Sequence, residues 1–278
     1  MFKDRHLIIA TKHQKEKVIA PLLEKELGVK CFVSTDIDTD VYGTFTGEIE
    51  RLNDPIETAR QKCLKAMELS GYDMAISSEG SFGLHPTILF VHADSEIVML
   101  VDKKNNLEII SREISTQTNF NGSEIKSYKE LQTFAKAVQF PSHGLIIRKN
   151  KNSKEAIFKG ITTKVRLKEA YKNVMDKFGE AYVETDMRAL YNPTRMKVIG
   201  KATEKLIKKI KSQCPKCKMP GFSVSKEKAG LLCENCGAPT RSTLLHVLSC
   251  QTCDFRQEKL YPHGRNFEDP MYCDTCNP

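Results

Sequence analysis

Along most of the chain, short apolar runs alternate with longer segments in which apolar residues recur every three or four positions. The run His6-Leu7-Ile8-Ile9-Ala10 reads as a buried strand. Val18, Ile19, Leu22, Leu23 and Leu27 then mark one face of a helix over residues 15–27, and Gly28 supplies its stop. A second strand is expected over residues 30–34. Strand, turn, helix, strand is how an α/β fold begins.

Residues 35–53 break the apolar pattern. Asp36, Asp38, Asp40, Gly43, Thr44, Thr46, Gly47 and Glu48 give them the composition of a solvated surface loop. The next helix opens with Asp54 as N-cap, Pro55 at the first position and Glu57 placed for a capping box. Ile56, Ala59, Cys63, Ala66, Met67 and Leu69 form its apolar face, and Gly71 ends it. A strand over residues 73–77 leads into Ser78-Glu79-Gly80-Ser81-Phe82-Gly83, read as a glycine-rich turn carrying one carboxylate. Open α/β sheets place ligands at such turns.

Further strands are expected over residues 87–92, 96–102 and 107–113, the last after the hairpin-like turn Lys103-Lys104-Asn105-Asn106. Ser127 and Glu130 mark the start of a helix over residues 127–138. Strands follow at 144–148 and 156–159, and a helix at 165–178. The strand beginning at Ala181 runs into Glu184, Asp186 and Arg188. Asn192-Pro193 opens a long helix reaching about Lys211, whose polar face is read as Arg195, Lys197, Lys201, Lys205, Lys208, Lys209 and Lys211 against Glu204 alone. Such a charge run is usually a solvated face. The fold class is thus an α/β body over residues 1–212, with a twisted mixed sheet flanked by helices, and a small module over 213–278.

That module is set by cysteine. Cys214/Cys217, Cys233/Cys236, Cys250/Cys253 and Cys273/Cys276 share one Cys-x-x-Cys spacing and hold eight of the ten cysteines. Zinc takes four thiolates in closed, structural sites. Fifteen residues separate the first two pairs and nineteen the last two, as in zinc ribbons. The simplest arrangement joins the pairs sequentially, Cys214/217/233/236 and Cys250/253/273/276. Spacing also admits an interleaved one, first with third and second with fourth. Two structural zinc ions are expected either way. Four thiolates leave no open position for catalysis, and His246 and His263 are not needed as ligands.

Charge modifies this picture. The chain carries a formal +8, of which +7 falls after residue 192. A basic tail suggests nucleic acid. Two four-thiolate zinc sites add about −4, leaving about +3. No apolar run reaches the roughly 18 residues of a membrane span. The N-terminus lacks the apolar core of a signal peptide. A cytoplasmic location is expected, where paired cysteines favour metal over disulfides.

The strings Ala10-Thr11-Lys12-His13, Gly43-Thr44-Phe45-Thr46-Gly47-Glu48, Val183-Glu184-Thr185-Asp186-Met187-Arg188 and Asn192-Pro193-Thr194-Arg195-Met196, with the closing Cys276-Asn277-Pro278, resemble an uncharacterised bacterial family that carries this cysteine-rich tail. The first 110 residues also resemble the pyrophosphatases that remove inosine and xanthosine triphosphates. Ala10-Thr11 and the lysine-bearing turn match their opening. Glu57-Thr58-Ala59-Arg60-Gln61-Lys62-Cys63 is similar to their second helix. Ser78-Glu79-Gly80 stands where they carry paired acids.

That resemblance implies a Mg²⁺-dependent hydrolase acting on a nucleoside triphosphate. Glu48, Glu79, Glu184, Asp186 and His85 are its catalytic candidates. Lys12, Lys17, Lys62, Ser81 and Arg188 are its candidates for binding the nucleotide. Each carboxylate has a plain structural alternative, a cap or a surface role. The rival reading is a non-catalytic zinc-ribbon protein that binds nucleic acid or protein through the ribbons and the basic helix.

Overall fold

The structure is a computed structural model that describes residues 1–33 and 53–278. Glu48 and nearly all of the polar loop expected around it lie outside the described residues. Two compact units are formed, Met1–Ile207 and Lys208–Pro278.

In the first unit, β1 (His6–Ala10), α1 (Glu16–Leu27), β2 (Lys30–Val33), α2 (Pro55–Ser70), β3 (Met74–Leu84), β4 (His92–Asp102) and β5 (Leu107–Ser115) build a mixed sheet in the order β2-β1-β3-β4-β5. β2, β1 and β3 run parallel, and β4 and β5 are antiparallel additions. The helices start where capping chemistry allows. Asp54 accepts from the amides of Ile56 and Glu57, and Gly71, at φ 72°, closes α2. Glu57 does not complete a capping box; its carboxylate pairs with Arg60.

The alternation of β3 separates two faces. Ala75 and Ser77 point toward α2, where Ser77 Oγ donates to Ala59 O at 2.7 Å. Ile8, Ala10, Ala59, Cys63, Ala66, Met67, Met99 and Val101 fill that core. The opposite face receives α5 (Pro193–Lys211). Ser111 Oγ donates to Ala202 O at 2.7 Å, and Lys205 pairs with Glu113.

Two expectations fail in this sheet. β3 does not turn at Ser78; it runs to Leu84 because β4 pairs with it without a break from Met74↔Asp102 to Leu84↔His92. The expected strand at 87–92 is a connector, with only His92 in β4. Pro86 has no amide to give a ladder. His85 Nδ1 instead accepts from the amides of Thr87 and Ile88, at 3.2 and 3.0 Å, and bends the chain.

The rest of the unit is a four-stranded antiparallel sheet, β6-β9-β7-β8, from β6 (Gly122–Ile125), β7 (Leu145–Arg148), β8 (Phe158–Ile161) and β9 (Ala181–Thr185). It carries α3 (Tyr128–Ala137) and α4 (Lys164–Phe178). Leu131, Phe134, Leu145, Ile147, Leu167, Val174 and Val183 lie in its core. β6 has one apolar residue, Ile125, and gave no strand signal. No described helix is long and apolar enough to cross a membrane.

The second unit is an antiparallel meander of β10 (Ser223–Ala229), β11 (Thr243–Ser249) and β12 (Arg256–Leu260).

Candidate functional site

The meander decides how the cysteine pairs combine. One pair precedes β10, one lies between β10 and β11, one between β11 and β12, and one follows β12. Antiparallel strands reverse direction at each connection, so the first and third pairs meet at one end of the sheet and the second and fourth at the other. The clusters are Cys214/Cys217/Cys250/Cys253 and Cys233/Cys236/Cys273/Cys276, with the sulfurs of each within 4.8 Å of one another. The sequential pairing taken as simplest is therefore corrected to the interleaved one.

Sulfur separations are 3.7 Å for Cys214–Cys253, 3.5 Å for Cys217–Cys250, 3.9 Å for Cys233–Cys276 and 3.6 Å for Cys236–Cys273. Four sulfurs about 2.3 Å from a zinc ion lie about 3.8 Å apart, so each cluster could hold one. Thr252 N–H points at Cys250 Sγ, at 3.4 Å. The first cluster is backed by Phe222, Met219, Leu248 and Phe255. In the second, Cys236 is exposed.

A different chemistry gathers in the first unit. β2 lies on one side of β1 and β3 on the other, so strand order reverses between β1 and β3. Open α/β sheets bind ligands beyond the carboxyl ends of their strands at such a switch point. β1 stops at Ala10, opposite Ser77, while β3 continues. On the α5 side of this outer half, Ser78, Gly80 and Phe82 stand in register with Val98, Glu96 and Asp94.

Charged groups are buried around them. Lys15, at the start of α1, donates from Nζ to Ser78 O and Ser78 Oγ, both at 3.0 Å. Arg195 of α5 donates from Nε to Glu96 Oε1 and from Nη1 to Met187 O, both at 2.6 Å. Its guanidinium also lies 5.1 Å from the Phe82 ring centre. Asp94, Glu96 and Arg195 are each at most 1% exposed. On the other face of β3, Glu79 forms a buried ion pair with Lys62 of α2.

Gly80 is required at this crossing. A Cβ there would stand 2.5 Å from Arg195 Nη2 and closer still to Glu96 Oε1. Neither oxygen of Asp94 has a hydrogen-bond partner among the described residues, nor has Glu96 Oε2 or Thr11 Oγ1. Burial, then the neighbouring charge of Glu96, pushes the Asp94 carboxyl up to about 8. Burial, then the charge of Arg195, pushes the Lys15 ammonium down to about 8.

Of the candidates read from sequence, Glu79 and Lys62 lie beside this cluster, on the α2 face of β3. Lys12 and Lys17 are exposed near the start of α1, and Lys17 donates to Gln14 at 2.7 Å. Ser81 is exposed on the α2 side of β3, and His85 caps the connector. Glu184 lies on β9 of the second sheet, paired with Arg148, and burial pushes its carboxyl up against the opposing pull of Arg148. Asp186 is fully buried. It accepts from Gly160 N–H at 3.0 Å and from the backbone and side chain of Arg188, which lies over Tyr191. These three residues are bonded within the second sheet and its following turn.

Sequence reading left Asp94 and Glu96 unremarked and placed Arg195 on a solvated face. The structure corrects the latter, because Arg195 is in phase with Val198, Ile199, Ala202 and Leu206, all buried. Asp94 and Glu96 had a signal too, as two acids in alternation leading into the apolar run Ile97–Val101.

A model of the family described as "Domain of unknown function (DUF6671)" matches residues 62–278. No curated protein matches the chain. Among solved structures, the protein VC0702 from Vibrio cholerae aligns at 9% identity and a TM-score of 0.31, over 73% of this chain and 93% of that one. The lipoprotein GNA1162 from Neisseria meningitidis aligns at 17% identity and a TM-score of 0.22, over 48% of this chain and 94% of that one.

Proposed function

The chain belongs to the DUF6671 family, whose function is unknown, and from that premise we propose that its first unit is a Mg²⁺-dependent hydrolase of nucleoside triphosphates, releasing pyrophosphate. The second unit is then a structural module holding two zinc ions. The observation that carries the reading is the set of buried charges at the switch point: Lys15, Lys62 and Arg195 with Glu79, Asp94 and Glu96. Burying so many ionic groups is costly unless a function keeps them.

Water attacks the α-phosphorus, the bond to the bridging oxygen breaks, and the products are a nucleoside monophosphate and pyrophosphate. Lys15 and Lys62 supply cations to the phosphate chain. Glu79, held by Lys62, would orient the attacking water and take its proton. Carboxylates of this cluster would hold a divalent cation, which would neutralise charge on the phosphates when bound. None of the ten cysteines is in a disulfide, and eight of them gathered as zinc ligands suit a reducing, cytoplasmic setting.

The test is a screen of the purified, zinc-loaded chain against nucleoside triphosphates with Mg²⁺, with pyrophosphate as readout. Glu79→Gln should lower the rate by about a hundredfold or more. No release of pyrophosphate or phosphate from any nucleotide would sink the proposal.

One observation favours a second reading. Lys226, Lys228 and Arg256 gather with Ser225, Ser249 and Glu258, which pairs with Lys228, around a groove on the β10–β12 sheet, and its net positive charge would suit nucleic acid. Titration with single-stranded RNA at two salt concentrations tests it. Binding that is absent, or indifferent to salt, would refute it.

A further inference from the structure

The geometry points to a divalent-cation site formed by Asp94 and Glu96 of β4, with Arg195 as the residue that positions Glu96. It rests on the hydrolase reading only for what the cation would face.

Residues two apart on a strand share a face, and the register sets Asp94 opposite Phe82 and Glu96 opposite Gly80. Both side chains are therefore delivered to the α5 side of the sheet, beside the switch point. Arg195 engages one oxygen of Glu96, Oε1, at 2.6 Å. Glu96 Oε2 and both oxygens of Asp94 have no hydrogen-bond partner among the described residues, although the two residues are 0% and 1% exposed. A buried carboxylate oxygen without a partner carries its full desolvation cost, and native proteins rarely leave one so. Three of them on neighbouring positions of one strand offer a bound cation a shared set of oxygen ligands.

Arg195 already engages Oε1 of Glu96. A bound guanidinium fixes the orientation of a ligating carboxylate in the way outer partners of metal sites do. Gly80 lets Glu96 and Arg195 close over β3 in this arrangement, since a Cβ would collide with both. The donors are hard oxygens with no thiol or imidazole among them, which selects Mg²⁺ or Mn²⁺ over zinc. Two protein carboxylates complete only part of an octahedron, and phosphate oxygens and water are the usual remainder for Mg²⁺. Glu79, on the opposite face of β3 and paired with Lys62, is excluded from the ligand set.

The experiment uses the full, zinc-loaded chain and Mn²⁺ as the probe, following the free Mn²⁺ signal by electron paramagnetic resonance. Wild type should bind one Mn²⁺ that excess Mg²⁺ displaces. Asp94→Asn should weaken that binding by about tenfold or more, with an unchanged circular dichroism spectrum. Glu79→Gln should leave it in place. If Asp94→Asn misfolds, Asp94→Ser serves for the same measurement. Absence of Mn²⁺ binding with and without nucleotide, binding unaltered by loss of Asp94, or binding lost with Glu79 would each overturn the assignment. Mn²⁺ binding without hydrolysis of any nucleotide would refute the hydrolase reading and leave the cation site standing.

Discussion

Replacing Arg195 by methionine is the sharpest probe of the buried cluster. Both partners of the Arg195–Glu96 pair have 0% side-chain exposure. Methionine keeps much of the aliphatic volume and removes the charge. Glu96 is left without its cationic partner in a low-dielectric interior, and Met187 O loses its 2.6 Å donor. Breaking one side of a buried pair typically costs about 3–5 kcal/mol, a large share of the roughly 5–15 kcal/mol that holds a domain together. At about 2–4 °C per kcal/mol for a unit of this size, the melting point of the first unit should fall by about 6–20 °C.

The exposed pair Lys228–Glu258, 47% and 54% exposed, gives the contrast. Lys228→Met there should cost about 0–1 kcal/mol. Guanidinium denaturation followed by circular dichroism measures both, and a zinc-sensitive dye reports separately on the module, so the two units are not mistaken for one transition. The double variant Arg195→Met/Glu96→Gln should recover a good part of the loss, because no unpaired charge remains. A cost below about 1 kcal/mol for Arg195→Met, or a double variant that merely sums the singles, would show that this pair is not buried as an ionic unit.

Gly80→Ala should destabilise the first unit by about 1–3 kcal/mol, since its Cβ meets Arg195 Nη2 at 2.5 Å; an unchanged denaturation midpoint would refute the crossing. Lys15, with its pKa pushed down to about 8 by burial and by Arg195, is penalised in its charged form, so its contribution to stability rises from about pH 8 toward its ordinary value and is lost as pH falls through 8. The difference in stability between wild type and Lys15→Met should follow that window, and a difference flat from pH 7 to 10.5 would contradict it. In protein loaded with cadmium-113, Cys217→Ser and Cys253→Ser should shift the same resonance and spare the other; a resonance shared by Cys217 and Cys236 instead would restore the sequential pairing.

Local chemistry made much of the fold readable in the sequence. The caps Asp54, Ser127 and Asn192 and the stop Gly71 stand where helices begin and end. Pairing between distant strands was not readable. Ser78-Glu79-Gly80 looks like a turn because glycine usually ends a strand, yet Gly80 is there for the close approach of Glu96 and Arg195. Those two are 99 residues apart, so no local signal links them. Lysines in the β1–α1 turn were legible as a group, but only tertiary packing picks Lys15 out of Lys12, Lys15 and Lys17. Glu184 and Asp186 look like a catalytic pair in sequence because two acids follow a strand; the second sheet spends one on Arg148 and the other on Arg188.

The interleaved clusters bear on where chemistry can occur. Each site closes a long loop: Cys214 and Cys253 are 39 residues apart, Cys233 and Cys276 are 43. Sequential pairing would have let each half of the module close on itself. Interleaving makes both sites depend on the same three strands, and β11 joins the two ends. Those strands bury little: β12 is exposed throughout and β10 nearly so. The module's apolar cluster is largely Cys214, Phe222 and Cys250 with their few neighbours. Metal held at the two clusters would supply free energy of folding that a core would otherwise give. A zinc ion committed in this way, with all four positions taken by thiolates, has no place for a substrate. The oxygens of Asp94 and Glu96 that have no partner among the described residues would, as ligands of the proposed cation, leave its remaining positions open to substrate.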